Sequence, residues 1–113
     1  MPLWFVRGLR RGVVTTRYPA RPDPSAAGLP APPSFRPDAL TREVADALVA
    51  TCPSRALARD GGTLLFDAGA CTACGRCRDA APAAVAASGE FELAVTSRTA
   101  LRKRIQIAGE GSR

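Results

Sequence analysis

Three cysteines in the spacing Cys71-x-x-Cys74-x-x-Cys77, with a fourth at Cys52 directly before Pro53, constrain this chain of 113 residues more than any other feature. Thiolates gathered this closely are metal ligands or disulfide halves, and a reducing compartment favours ligands. A cytoplasmic setting is the expectation. No apolar run approaches the ~18 residues of a membrane span, and Leu3–Val6 is too short, and too soon followed by Arg7, for a signal-peptide core. The chain also needs a staple. Hydrophobic residues make up 46% of it, but alanine dominates that count, as in Ala80–Ala81 and Ala83–Ala87, and aromatics are only 5%. Small domains with cores this thin commonly depend on a metal, a disulfide or a partner surface.

Composition shifts divide the chain into residues 1–18, 19–37, 38–97 and 98–113. The first segment interleaves Leu3, Trp4, Phe5, Val6, Leu9, Val13 and Val14 with arginines, which predicts a short amphipathic helix suited to a membrane interface or a protein partner. Gly8 and Gly12 weaken that helix. Residues 19–37 hold seven of the ten prolines and predict an extended arm without regular structure, which composition alone leaves as either a disordered linker or a strap across another subunit. Asp38 or Thr41 can cap a helix running to about Ala50 with Leu40, Val44 and Leu48 on one face. Two β-hairpins are then predicted: Ala56–Arg59 with Thr63–Asp67 around Asp60–Gly61–Gly62, and Ala84–Ala87 with Phe91–Val95 around Ser88–Gly89–Glu90. The last segment reads as a basic tail.

The hairpins repeat at one phase. Cys52–Pro53 and Ala81–Pro82 are 29 residues apart, and the same offset lays Leu64 on Leu93 and Phe66 on Val95. Two-cluster bacterial ferredoxins carry CxxCxxCxxxCP twice, and the fourth cysteine of each copy ligates the other copy's cluster. Here the second copy keeps Cys71, Cys74 and Cys77 but has Ala81 in fourth place. The first keeps only Cys52, with Arg42, Ala45 and Leu48 at the other ligand positions. Under cross-ligation the four survivors belong to a single site, and the four losses all fall on the other. One [4Fe–4S] cluster held by Cys52, Cys71, Cys74 and Cys77 is the reading this pattern favours, in an α+β fold of the two-cluster ferredoxin type with an extended N-terminal arm. Gly75 allows the tight turn that such a loop needs.

Other readings of the same residues remain open. A Cys₄ zinc module is one, although zinc sites usually pair two separated CxxC knuckles. The net charge of +6, from fifteen arginines and Lys103 against ten acids, could suggest nucleic acid, but the excess sits at the two ends and a nucleic-acid role is not expected. Catalysis on this chain is not expected either. There is no histidine, no nucleophile stands beside a base, and Asp67, Asp79, Glu90 and Glu92 read as turn or solvent-facing residues.

Four stretches carry a resemblance to a known family: Gly12–Val13–Val14–Thr15–Thr16–Arg17–Tyr18–Pro19, Cys52–Pro53–Ser54–Arg55–Ala56–Leu57, Cys74–Gly75–Arg76–Cys77 and Phe91–Glu92–Leu93–Ala94–Val95. With them the chain resembles the ferredoxin-like subunit of formate hydrogenlyase and hydrogenase-4 complexes, itself related to an iron–sulfur subunit of respiratory complex I. The resemblance implies a peripheral electron-transfer subunit of a membrane-associated oxidoreductase complex. Its partners would include a [NiFe]-hydrogenase-type small subunit bearing its own cluster, and its first segment would lie near the membrane arm on the cytoplasmic face. The family relays through two clusters, so Arg42, Ala45, Leu48 and Ala81 mark a departure. They leave a shorter electron route, or a structural or assembly subunit whose cluster mainly stabilises it.

Overall fold

The computed structural model describes residues 3–12, 15 and 17–109. Val13, Val14 and Thr16, which belong to the expected amphipathic segment and to the resemblance, lie outside them, as do residues 110–113 of the expected tail. The chain forms a small α+β domain with two antiparallel sheets, preceded by a helix and an arm.

Helix α1, Trp4–Arg11, ends at Gly12, whose positive φ of 64° turns the chain while its N–H bonds to the Gly8 carbonyl. None of its residues is buried. The domain proper is built on α2, Arg42–Thr51. Its cap is Thr41, whose Oγ1 accepts the Val44 N–H at 3.3 Å, whereas Asp38 sits in the preceding one-turn 3₁₀ helix Pro37–Ala39. Leu40, Ala45 and Leu48 are completely buried, so two of the positions that a second ferredoxin-type cluster would need are core positions. Pro53 follows directly after the C-cap residue Cys52 and cannot donate to a continuing helix.

Strands β2, Leu57–Asp60, and β3, Thr63–Asp67, form the first hairpin as expected, paired Leu57↔Phe66 through Asp60↔Thr63, with Gly61 at φ 55° in the turn. Leu64 and Phe66 point to the core with Leu57. Helix α3, Arg76–Ala80, packs against α2 and leads to β4, Val85–Ala87.

The second hairpin does not form. Phe91–Val95 has no strand structure, Phe91 and Val95 are exposed, and β4 pairs instead with β1, Pro33–Phe35, in the register Pro33↔Ala87 to Phe35↔Val85. The proline-rich arm therefore lies, over this part, on its own domain. Phe35 anchors it, its ring centroid 5.1 Å from that of Phe66, and Arg36 donates its N–H to the Ala84 carbonyl. A proline can open this strand because β1 is an edge and needs no donor on its outer side. Upstream, the arm also contains a 3₁₀ turn at Pro24–Gly28, where Asp23 accepts the Ser25 N–H.

The last segment is likewise structured. A 3₁₀ turn, Arg98–Leu101, leads into β5, Arg102–Gln106, which pairs with β3 from Thr63↔Gln106 to Asp67↔Arg102. Ile107 then enters the core at 1% exposure, its N–H bonded to the Gly62 carbonyl, and the next N–H, of Ala108, bonds to the Leu40 carbonyl. β3 is thus the central strand of three. The partition between a structured C-terminal strand and an unstructured 91–95 segment can be checked by urea unfolding of the full chain. Ile107→Ala is expected to cost about 3 kcal/mol, as for other buried aliphatic truncations, and Val95→Ala no more than about 0.5 kcal/mol. A second hairpin would give Val95 the larger cost.

Candidate functional site

Cys52 and the Cys71–Cys77 loop approach each other because both grow from the same core elements. Cys52 is held at the end of α2, where its N–H bonds to the Leu48 carbonyl, and the loop follows β3 and ends in α3. All four cysteines line one cavity of about 340 Å³, at the small end of the range for cofactor sites. Cys52, Cys71 and Cys77 are half-buried and Cys74 is exposed at its rim. No disulfide joins any of them.

The loop geometry is set by two left-handed residues. Gly75 has φ 79°, which a glycine adopts without steric cost, and it directly precedes α3. Ala73 has φ 53° with no such freedom, and its N–H points at the Cys71 Sγ, 3.4 Å away. Arg55, three residues past Cys52, is also left-handed at φ 56°. Non-glycine residues held in this region cost energy, so the surrounding packing fixes both ligand loops in shapes they would not choose alone.

The thiols differ in their electrostatics. For Cys52 burial opposes ionisation, but the Ser54 hydroxyl, 3.6 Å from Sγ, and the backbone N–H groups of Ala56, Ser54 and Leu57 outweigh it and pull the thiol below its ordinary value. Cys77 is pushed up, first by burial and then, against a partly offsetting N–H from Arg78, by the charges of Cys71 and Cys74.

The donor set is purely sulfur. Among the described residues no three His, Cys, Asp or Glu side chains close in tightly enough to hold a single metal ion. The four cysteines are instead among the residues that line one cavity. The remaining wall was not foreseen in the sequence: Gly28, Leu29, Pro30 and Ala31 of the arm line the cavity opposite the loop, with Ser88 beyond β4. Ser88 Oγ donates to the Pro32 carbonyl, which ties the arm down at that point. Ser54 was likewise visible in the sequence only as a neighbour of Cys52–Pro53, although a hydroxyl two residues from a thiol can reach it. Asp67, read from the sequence as a turn or solvent-facing residue, instead closes strand β3, where its half-buried carboxylate accepts the Gly69 N–H at 2.9 Å and lies 3.7 Å from Arg98 and 3.5 Å from Arg102.

Comparison with protein-family models and with curated proteins gives no match.

Adding a Cβ at Gly75 meets nothing closer than the Arg78 guanidinium at 3.6 Å, so only the backbone angle resists it. Gly75→Ala is therefore expected to destabilise the chain by about 1 kcal/mol, while Ala73→Gly leaves stability unchanged or raises it. Thermal unfolding of the two variants beside the parent chain measures both.

Proposed function

We propose that the chain is an electron-transfer subunit that binds one [4Fe–4S] cluster through Cys52, Cys71, Cys74 and Cys77. The observation that carries this reading is the convergence of Cys52 with the Cys71–Cys77 loop on one cavity, across an intervening hairpin. A four-iron cubane takes one thiolate at each iron, and four cysteines lining one cavity supply that donor set. When bound, such a cluster accepts and donates one electron at a time.

The chain's own residues serve that role in separate ways. Ser54 and the N–H groups around Cys52 favour the ionised form of that sulfur, and the Ala73 N–H donates toward the Cys71 Sγ. Hydrogen bonds to ligand sulfurs are among the factors that set a cluster's potential. Leu29, Pro30 and Phe66 supply an apolar wall that limits water. Cys74, the exposed thiol, offers the shortest way out, beside Arg76 and Arg78. With no histidine or activated nucleophile in the sequence, relay rather than substrate chemistry is the role, within an oxidoreductase complex of the hydrogenase and complex I type that the sequence resembles. The two-cluster ferredoxin fold belongs to the same proposal. α2 followed by Cys52–Pro53 and β2, and α3 followed by Ala81–Pro82 and β4, keep the repeat's helix–X-Pro–strand order.

Iron and acid-labile sulfide analysis of anaerobically purified protein is expected to give about four of each per chain, and replacing any one of the four cysteines with alanine to lower both. Zinc without sulfide would overturn the proposal. About eight irons would show a second cluster on noncysteine ligands. Reversible reduction in an EPR-monitored titration supports relay, whereas a redox-silent cluster would leave a structural or assembly subunit.

A further inference from the structure

The two walls of the cysteine cavity are held in different ways. On the thiol side Leu48 and Ala56 flank Cys52, and Ala68 and Ala84 flank the Cys71–Cys77 loop, all four of them buried in the core. The arm side has no such tie. Among the described residues Leu40 is the first buried one in the chain, so Gly28, Leu29, Pro30, Ala31 and Pro33, which complete the cavity, precede every core side chain.

What fastens the arm is short and lies at the surface. β1 pairs with β4 over three residues only, and the prolines at 30, 32 and 33 lack the N–H groups that could extend the ladder. Beside the ladder stand the Arg36 N–H on the Ala84 carbonyl at 2.8 Å, Ser34 Oγ on the Ala86 carbonyl at 3.4 Å, Ser88 Oγ on the Pro32 carbonyl, and the Phe35–Phe66 ring contact. Segments with few buried contacts and exposed hydrogen bonds open locally, well below the cost of unfolding the whole domain. Ser88 is the fastening nearest the cavity. Its oxygen accepts the Glu90 N–H at 3.1 Å, which leaves the hydroxyl proton to point at Pro32. Ser88, Ala87 and Pro33 all line the cavity, and Pro33↔Ala87 is the first pair of the ladder, so the ladder's first step of opening is also the cavity's.

We infer that residues 28–35 are a lid over the cysteine cavity, which swings away when β1 leaves β4 and pivots ahead of Leu40, and that Ser88 is the catch that holds it shut. Pro30, Pro32 and Pro33 stiffen the lid, so it moves as one piece. The thiol loops stay on the core. Opening therefore changes access to the sulfurs without changing their arrangement, and it does so whatever metal group the cysteines take.

Hydrogen exchange and thiol labelling of the full chain, after bound metal is removed with a chelator, test this on one sample. Ser88→Ala is expected to speed exchange of the 34–36 amides, and N-ethylmaleimide labelling of Cys52, Cys71 and Cys77, by the same factor of about five, the weight of one hydrogen bond. Cys74, already exposed, is expected to label as before, and the amides of α2 and β3 to stay protected. Ser88→Thr keeps the hydroxyl and is expected to match the parent chain. Faster amide exchange without faster labelling would overturn the lid, since the thiols would then be reached past Cys74. Unchanged exchange in Ser88→Ala would overturn it too. So would faster exchange throughout α2 and β3, because the arm would then open only with the whole domain. Metal analysis that returned zinc would remove the proposed cluster and leave these rates as expected.

Discussion

The contact of Phe66 with Phe35 holds together parts that the chain encodes far apart. Phe66 is on the central strand of the three-stranded sheet, is 3% exposed, and faces the cysteine cavity on one flank. Phe35 comes from the arm and, through β1, carries β4 with it. Aromatic pairs at such a separation contribute beyond the area they bury. In a chain so poor in aromatics, that contact joins the β1–β4 ladder and the Ser88–Pro32 hydrogen bond in holding the arm against the domain.

What was legible in the sequence is what local physics specifies. Thr41 caps α2 because a hydroxyl before an apolar-periodic run answers free N–H groups. Leu57–Asp67 forms a hairpin because the glycine pair turns it. Gly75 is left-handed where the cysteine loop tightens. The four cysteines share a cavity, and the sequence joined Cys52 to the Cys71–Cys77 loop through the cross-ligation pattern of two-cluster ferredoxins. The cluster proposed for them rests on chemistry and resemblance.

What was not legible is non-local pairing. Phe91–Val95 alternates apolar and other residues as a strand should, and Arg102–Gln106 does not, having only Ile105 as an apolar side chain. Yet it is the latter that pairs with β3. Strand propensity mostly reports fit to a surface that exists only after folding, and β5 wins because Ile107 just beyond it fills the core. The arm misled for a related reason. Seven prolines argue against ladder pairing, but an edge strand of three residues tolerates one at its start. The internal repeat suggested a symmetric second hairpin, and the arm took the partner's place.

The arm's part in the cavity wall has a consequence for the order in which the molecule is made. Residues 28–31 leave the ribosome first among the cavity's components, but the strand that fixes them, Val85–Ala87, follows Cys77. All four thiols therefore exist before the wall can shut. In synthesis from the N-terminus the arm therefore precedes its latch, and the β1–β4 pairing waits for the second half of the chain.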